Sequence, residues 1–482
     1  MSTEKEYAGE EEIPEPPKLT LKGYLSFLFG AGVISLSLGI GTGEFISGPY
    51  AALSYGASIL WITLISILVQ TITSISSTRY LLATGETLII GISRLWPGRK
   101  FWSILWSVQR FFQLIMPHYI MLIAAVFVTA YLGRPPEAPE KTLVAFLGLI
   151  ALAIIILPLL FGERIVKTLG YISGWDTLVE VLVFLILCIL FVPASIWGET
   201  FTGFFKFGYI PPGADWSVLA AIAGYAALTA DAGLWFSEYY RDLNWGMASK
   251  VGYISAIIGG KKVPLATKGY MPKKDPENIK KYKSWVKRVS LELLVIFAIG
   301  SFITMWFPVM LYLTFVPRGA KLPSGWAFAT SLAKYMENVF PLAFLVILLI
   351  GFALCWTNGI AVADGLGRLL TSLNWTAFPS LSKRFKGDAK KLYYVIICFF
   401  TIVWIIVNFT GLPPLISVLL AGSFANIAGV IYAIGLLGVN RILLPKEYRM
   451  SIFEEIVAIF ALFFYGFFFV NFFARTFLGI KF

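Results

Sequence analysis

Eleven stretches of mostly apolar residues, each 19 to 29 long and cut apart by Pro, Gly and charge clusters, run from residue 25 to residue 478. A helix needs about 20 such residues to cross the hydrocarbon core of a bilayer. In that medium backbone groups must be satisfied within the segment, which leaves helices as the way to build repeated spans of this length. The chain is therefore expected to be an all-α polytopic membrane protein with about eleven transmembrane helices. The expected spans are 25–53, 56–77, 103–131, 142–161, 172–196, 217–240, 288–315, 338–362, 392–410, 414–437 and 453–478. With only 14% charged residues among 482, no segment between spans is rich enough to form a separate soluble domain of useful size.

The formal charge of +12 is too thinly spread for nucleic acid, and its placement is topological. With the N-terminus in the cytoplasm, 30 of the 39 Lys and Arg fall in the inner segments and 8 in the outer ones, Arg110 lying within span 3. That asymmetry predicts a multi-pass cell-membrane protein, N-terminus cytoplasmic and C-terminus extracellular. Residues 1–23, with six Glu and Pro14, Pro16 and Pro17, are expected to be a disordered acidic tail. The basic loop 246–286 is expected to face lipid headgroups. Cys188, Cys355 and Cys398 lie in apolar runs, so no disulfide framework is expected.

Two spans carry breaks at matching places. Span 1 reads LSLGIGTGEFISGPY, with Gly39, Gly41 and Gly43 near its middle, and span 6 reads AGYAALTADAGLWFSEYY, with Gly224, Asp231 and Gly233 near its own. Each interior Gly costs a helix about 1 kcal/mol relative to Ala, and irregular backbone at that depth persists only against protein or a watery cavity. Five spans separate the two starts, and an odd repeat enters the membrane from opposite sides. The pattern predicts two inverted five-helix repeats, 24–196 and 217–437, with an additional helix in 452–482, and a substrate site at the paired breaks.

Each break holds an acid, Glu44 and Asp231, and a charge at mid-helix normally faces a cavity or a partner. Two carboxylates converging on one cavity would attract a hard cation. Further neutral ligands are offered by Thr357 and Asn358 in span 8 and by Ser423 and Asn426 in span 10, although such residues also glue helices together. Arg110 and Glu180 stand at similar depth on spans 3 and 5 and are expected to pair. Together with His118, the single histidine, they are candidates for a proton path. Asp364 and Arg368 form an i,i+4 pair expected at the surface.

The stretches GIGTGEFISGPYAALSYG, RYLLATGETLIIGISR, GLWFSEYYRDLNWGM, WTNGIAVADGLGRL and NRILLPKEYRMS resemble the Nramp family of metal transporters, especially its divergent prokaryotic relatives. The resemblance covers the chain through span 10 and implies the LeuT-like fold with alternating access. Where the family carries Asp-Pro-Gly-Asn in helix 1, this chain has Gly41, Thr42, Gly43 and Glu44. In place of Met-Pro-His in helix 6 it has Ala230, Asp231 and Ala232. Without the soft thioether, the donor set suits hard cations better than soft ones.

The expected function is thus secondary active transport of a cation, a hard divalent metal such as Mg2+ or Mn2+, coupled to protons. Glu44 and Asp231 would be the ligands, assisted by Gly41, Thr42, Ala230, Thr357, Asn358 and Asn426, with no resident cofactor. Lipid and a small ion are the expected partners. One rival is an amino-acid or organic-cation carrier of the same architecture, its substrate flanked by the rings of Tyr225 and Trp235. Another is a non-transport membrane scaffold. One histidine and three buried thiols supply no good nucleophile or metal set, so an enzyme is not expected.

Overall fold

A computed structural model of the chain describes residues 7–17, 20, 31–39, 41–162, 164–260, 263–317 and 322–480. In chain order the helices of the first half are α1 (Ala31–Gly39), α2 (Gly48–Tyr55), α3 (Trp61–Thr84), α4 (Leu88–Arg94), α5 (Arg99–Leu114), α6 (His118–Leu132), α7 (Lys141–Ile156), α8 (Ile165–Phe191) and α9 (Ala194–Gly203). The second half comprises α10 (Trp216–Gly224), α11 (Ala232–Asp242), α12 (Pro276–Glu292), α13 (Ile299–Phe315), α14 (Phe328–Met336), α15 (Ala343–Ala377), α16 (Pro379–Arg384), α17 (Ala389–Asn408), α18 (Pro414–Ile442) and α19 (Ile452–Phe477). The protein is a multi-pass membrane protein, and among the described residues nine continuous helical stretches are long and apolar enough to span a bilayer.

The two remaining expected spans, 25–53 and 217–240, are the ones that break. The first is described from residue 31 as α1; beyond residue 40, which is outside the described chain, Gly41 lies in a turn and a π-helical segment, Gly43–Ser47, leads into α2. The second separates α10 from α11 by the non-helical residues 225–231. Expected residues 25–30 of span 1 lie outside the described chain. Pro117 divides α5 from α6, because proline has no N–H to continue the ladder and clashes with the preceding turn.

Burial separates an inner core from a lipid face. In α3 the side chains of Thr63, Ser66, Thr71, Thr73, Ser74, Ser76, Ser77 and Thr78 are all buried. Several turn their hydroxyls back onto the carbonyl four residues earlier, as Thr71 does to Ile67 O at 2.7 Å. Small side chains let neighbours approach closely, and α3 ends on Gly85 at φ +79°, a left-handed C-cap. By contrast, Leu182, Ile186, Ile189 and Leu190 of α8, and Phe463 and Val470 of α19, are exposed. Such a girdle of large apolar side chains suits hydrocarbon rather than water.

The acidic tail departs from expectation. Residues 7–17, expected disordered, lie against the basic loop. Strand β1 (Glu10–Glu11) pairs in parallel with β2 (Met271–Pro272). Glu11 bonds Lys250, Glu12 meets Lys273 at 2.9 Å, and Glu15 meets Lys281 at 3.5 Å. Ile13 N–H donates to Asn278 Oδ1 at 2.7 Å, and Trp285 Nε1 donates to Pro14 O at 2.8 Å. Opposite charge and a pair of buried aromatic and amide contacts supply what the tail's own composition lacks. Residues 1–6, 18–19 and 21–23 of the expected tail are outside the described chain.

A second correction concerns Asp364 and Arg368. The span expected to end at residue 362 continues as α15 to Ala377, so the pair is buried rather than superficial. Arg368 bonds both Asp364, at 2.6 Å, and Asp242. Arg241 bonds Glu238 at 2.7 Å and Asp242 at 2.8 Å, Ser372 donates to Glu238 at 2.7 Å, and Tyr393 donates to Asp364 at 2.8 Å. This network ties α11 to α15 and α17 at the end of the bundle that carries the basic loop.

Candidate functional site

The broken segments meet. A methyl group added at Gly43 would collide with the Tyr225 carbonyl, and one at Gly41 would lie 2.6 Å from Asn358 Cγ. Only glycine permits these approaches, so the residues that weaken the helix are also those that let helix 1 touch the unwound part of helix 6 and the middle of α15. The break is held from outside by α3: Gln70 Oε1 accepts from Leu228 N–H of the non-helical stretch at 3.0 Å, and Ser66 Oγ donates to Ala223 O in the last turn of α10 at 2.6 Å.

At this junction lies a cavity of about 20 Å³, room for one or two water molecules. Thr42, Gly43, Gln113, Leu114, His118, Tyr225, Leu228, Thr229, Trp235, Asn358 and Val362 line it. Of the expected site residues, Thr42, Asn358 and His118 stand on the wall, as do Tyr225 and Trp235, the two rings of the rival reading. His118 Nδ1 is 3.1 Å from Met116 O. A carbonyl only accepts, so Nδ1 carries the hydrogen and Nε2 of the neutral ring is an acceptor.

The expected carboxylate pair is not assembled on this wall; neither Glu44 nor Asp231 lines the cavity. Asp231 is wholly buried and bonded to Arg110, whose guanidinium sits 5.2 Å from the Trp106 ring and 5.3 Å from that of Trp235. Arg110 also donates to Gln113 Oε1 at 2.7 Å, and Asp231 accepts from Thr229 Oγ1 at 3.1 Å. The charge of Asp231 is thereby balanced within a net-neutral cluster. Glu44 is buried too, its Oε2 3.3 Å from Gly41 N, and its Oε1 has no partner among the described residues. Among those residues no three of His, Cys, Asp and Glu gather as a metal shell would require.

Arg110 therefore does not pair with Glu180 as expected. Residue counts along two helices give depth but not azimuth, and Glu180 instead lies within hydrogen-bond reach of Asp176, one turn away on α8. Thr357 turns from the cavity, donating to Ala353 O at 3.0 Å or to Asp176. Asn426 bonds Ala220 O at 2.8 Å, and Ser423 bonds Ser217 O at 3.0 Å, so both fasten α18 to α10. Ala230, in the unwound segment, packs against Gly429 of α18. Gln113, Thr229, Gln70 and Asp176 were not among the expected site residues. A signal existed for the glutamines, since the three in the chain, Gln70, Gln109 and Gln113, all sit in apolar spans.

No protein-family model and no curated protein sequence matches the chain. Solved structures do. The manganese transporter of Eremococcus coleocola, in complex with an aromatic bis-isothiourea compound, is 13% identical, with TM-score 0.65 over 98% of this chain and 91% of that one. Mhp1, a nucleobase-cation-symport-1 family transporter with bound bromovinylhydantoin, is 14% identical, with TM-score 0.53 over 94% of each. The fold expected from the paired breaks is thus the one present: a LeuT-like membrane body with discontinuous helices 1 and 6. It is the fold of secondary transporters.

Proposed function

We propose that this protein is a secondary active transporter whose cargo is a small organic solute carrying an amine, an amino acid being the simplest case, bound between Tyr225 and Trp235. The observation that carries this reading is the Arg110–Asp231 pair. With Asp231 balanced, the cavity offers a cation no pair of carboxylates. What it offers instead is aromatic faces, a hydroxyl from Thr42, amides from Gln113 and Asn358, and the His118 acceptor. Ring faces and the carbonyls of an unwound helix suit an ammonium, while the N-terminus of α11, which begins at the unwound segment, suits a carboxylate. The cavity must widen to take such a solute. Gly41 and Gly43, by keeping helix 1 free of side-chain interlock at the contact, allow it to shift against residues 225–231, the movement that alternating access requires.

The fold does not choose the cargo, since one neighbour carries manganese and another binds a hydantoin. A second reading has one observation in its favour: the unpartnered Oε1 of Glu44, next to the wall residues Thr42 and Gly43, is a hard-oxygen donor for Mg2+ or Mn2+. Thermal unfolding of the purified protein separates the two. Amino acids or amines should raise the midpoint by mass action, Tyr225→Ala and Trp235→Ala should abolish the shift, and divalent metals should leave it unchanged. A saturable shift with Mg2+ or Mn2+ that disappears in Glu44→Gln would reject the organic cargo. The N-terminus is placed in the cytoplasm, on the strength of the basic-residue asymmetry.

A further inference from the structure

Outside the cavity, α8 carries two acids one turn apart, Glu180 buried and Asp176 half-buried. Glu180 is 2% exposed. Its side chain and that of Asp176 are within hydrogen-bond reach of each other, and Asp176 is also within reach of Thr357. Two ionised carboxylates are acceptors only, and Asp176 Oδ2 and Glu180 Oε1 are each buried with no donor among the described residues. Among the described residues, the elements packed against α8 supply no compensating cation: α1 holds no titratable residue, α13 presents Tyr312, and α15 presents Cys355 beside Glu180. Tyr312 is engaged elsewhere, its hydroxyl 3.3 Å from Phe328 O. A single proton held between the acids would give each a partner and remove one of two like charges from the membrane interior.

We propose that Asp176 and Glu180 together form a proton-binding site, and that this site couples the carrier to a pH gradient. Coupling rests on the transport reading above; proton binding does not. Thr357 links the pair to the cavity. Its one hydroxyl proton serves either Ala353 O or Asp176, and the next residue, Asn358, lines the cavity and abuts Gly41 of the broken helix. When the proton departs, two carboxylates at hydrogen-bond distance repel, and Asp176 draws the Thr357 hydroxyl from Ala353. The protonated and ionised pairs thus favour different packings of α8 on α15 and helix 1. The proton enters from water on one side and leaves to water on the other; an O–H bond of hydronium is exchanged for one on the carboxyl and back again, and no other bond changes.

Infrared difference spectroscopy of the full-length protein tests proton binding without any cargo. A carboxylic-acid C=O band should be present at neutral pH, disappear on raising the pH, and be absent from both Asp176→Asn and Glu180→Gln. For coupling, a mixture of the standard L-amino acids is added to proteoliposomes loaded with a pH-sensitive dye. The lumen should acidify with the wild type and not with either variant, while exchange of the radiolabelled mixture across the membrane persists in both, which shows that they fold. A band unchanged in both variants overturns the proposal, as does acidification unchanged by either substitution. Wild-type protein that exchanges no amino acid would refute the cargo instead, leaving the band to decide the proton site.

Discussion

Arg110 determines the character of the cavity. It lies between two indoles, reaches Gln113 and neutralises Asp231. Removing one partner of a buried ion pair strands the other charge and costs about 3–5 kcal/mol, whereas replacing both with apolar groups is often nearly neutral. Arg110→Met should therefore lower the thermal midpoint of the detergent-solubilised protein strongly, and Arg110→Met with Asp231→Leu should recover most of the loss. If the single variant unfolds like the wild type, the pair does not hold in solution. A steric prediction concerns Gly43, where a methyl group meets the Tyr225 carbonyl. Gly43→Ala should spoil cargo-induced stabilisation, because the contact between the two breaks cannot close. Wild-type ligand shifts in that variant would show that the approach is not needed. Glu44 and Asp231 were legible in the sequence as buried acids, but the cation that balances Asp231 was not. An acid's presence in an apolar span is written in one stretch of residues, whereas the cation that balances it comes from another helix whose rotation the sequence does not state.

At the scale of elements, the two discontinuous helices were the most legible part of the molecule, since clustered glycines and an acid in an apolar run carry a local cost. Less legible was α15, whose polar end looked like a surface because Asp364 and Arg368 are charged; their buried partners, Asp242 and Tyr393, lie 122 and 29 residues from Asp364. The tail was misread for a related reason. Judged alone its composition cannot fold, yet its acids face lysines more than two hundred residues away. Hydrogen bonds to Lys250 and Lys273 hold the carboxyls of Glu11 and Glu12 below the ordinary value of 4.5. Lowered in the docked state, these groups support docking above the ordinary carboxylate range and lose that support as pH falls through it. Amide exchange at Ala8 and Met271, whose N–H groups bond Gly269 O and Gly9 O at 2.8 Å, should lose protection on acidification. It should also lose protection at 1 M salt, where the screening length is about 3 Å. Protection independent of both pH and salt would mean that the strand pairing and the Trp285 contact hold the tail unaided.

For the whole molecule, the apolar spans and the fold followed from hydropathy and from the spacing of the two breaks, because both are properties of the chain read in one dimension. Neither chooses the cargo, which depends on which side chains face inward. Two acids in the broken helices suggested a cation, but the wall carries rings, amides and hydroxyls, with one acid paired behind it and the other beside it. The LeuT-like body is common to carriers of very different solutes, so chemistry at this wall, rather than the fold, distinguishes among them. Flux measures that directly. In proteoliposomes held at a fixed pH gradient, uptake of radiolabelled amino acids should be saturable, lost in Trp235→Ala and Tyr225→Ala, and insensitive to excess Mg2+ or Mn2+. Saturable uptake of Mg2+ or Mn2+ that amino acids do not compete with, and that Glu44→Gln abolishes, would contradict the organic cargo and return the site to a metal.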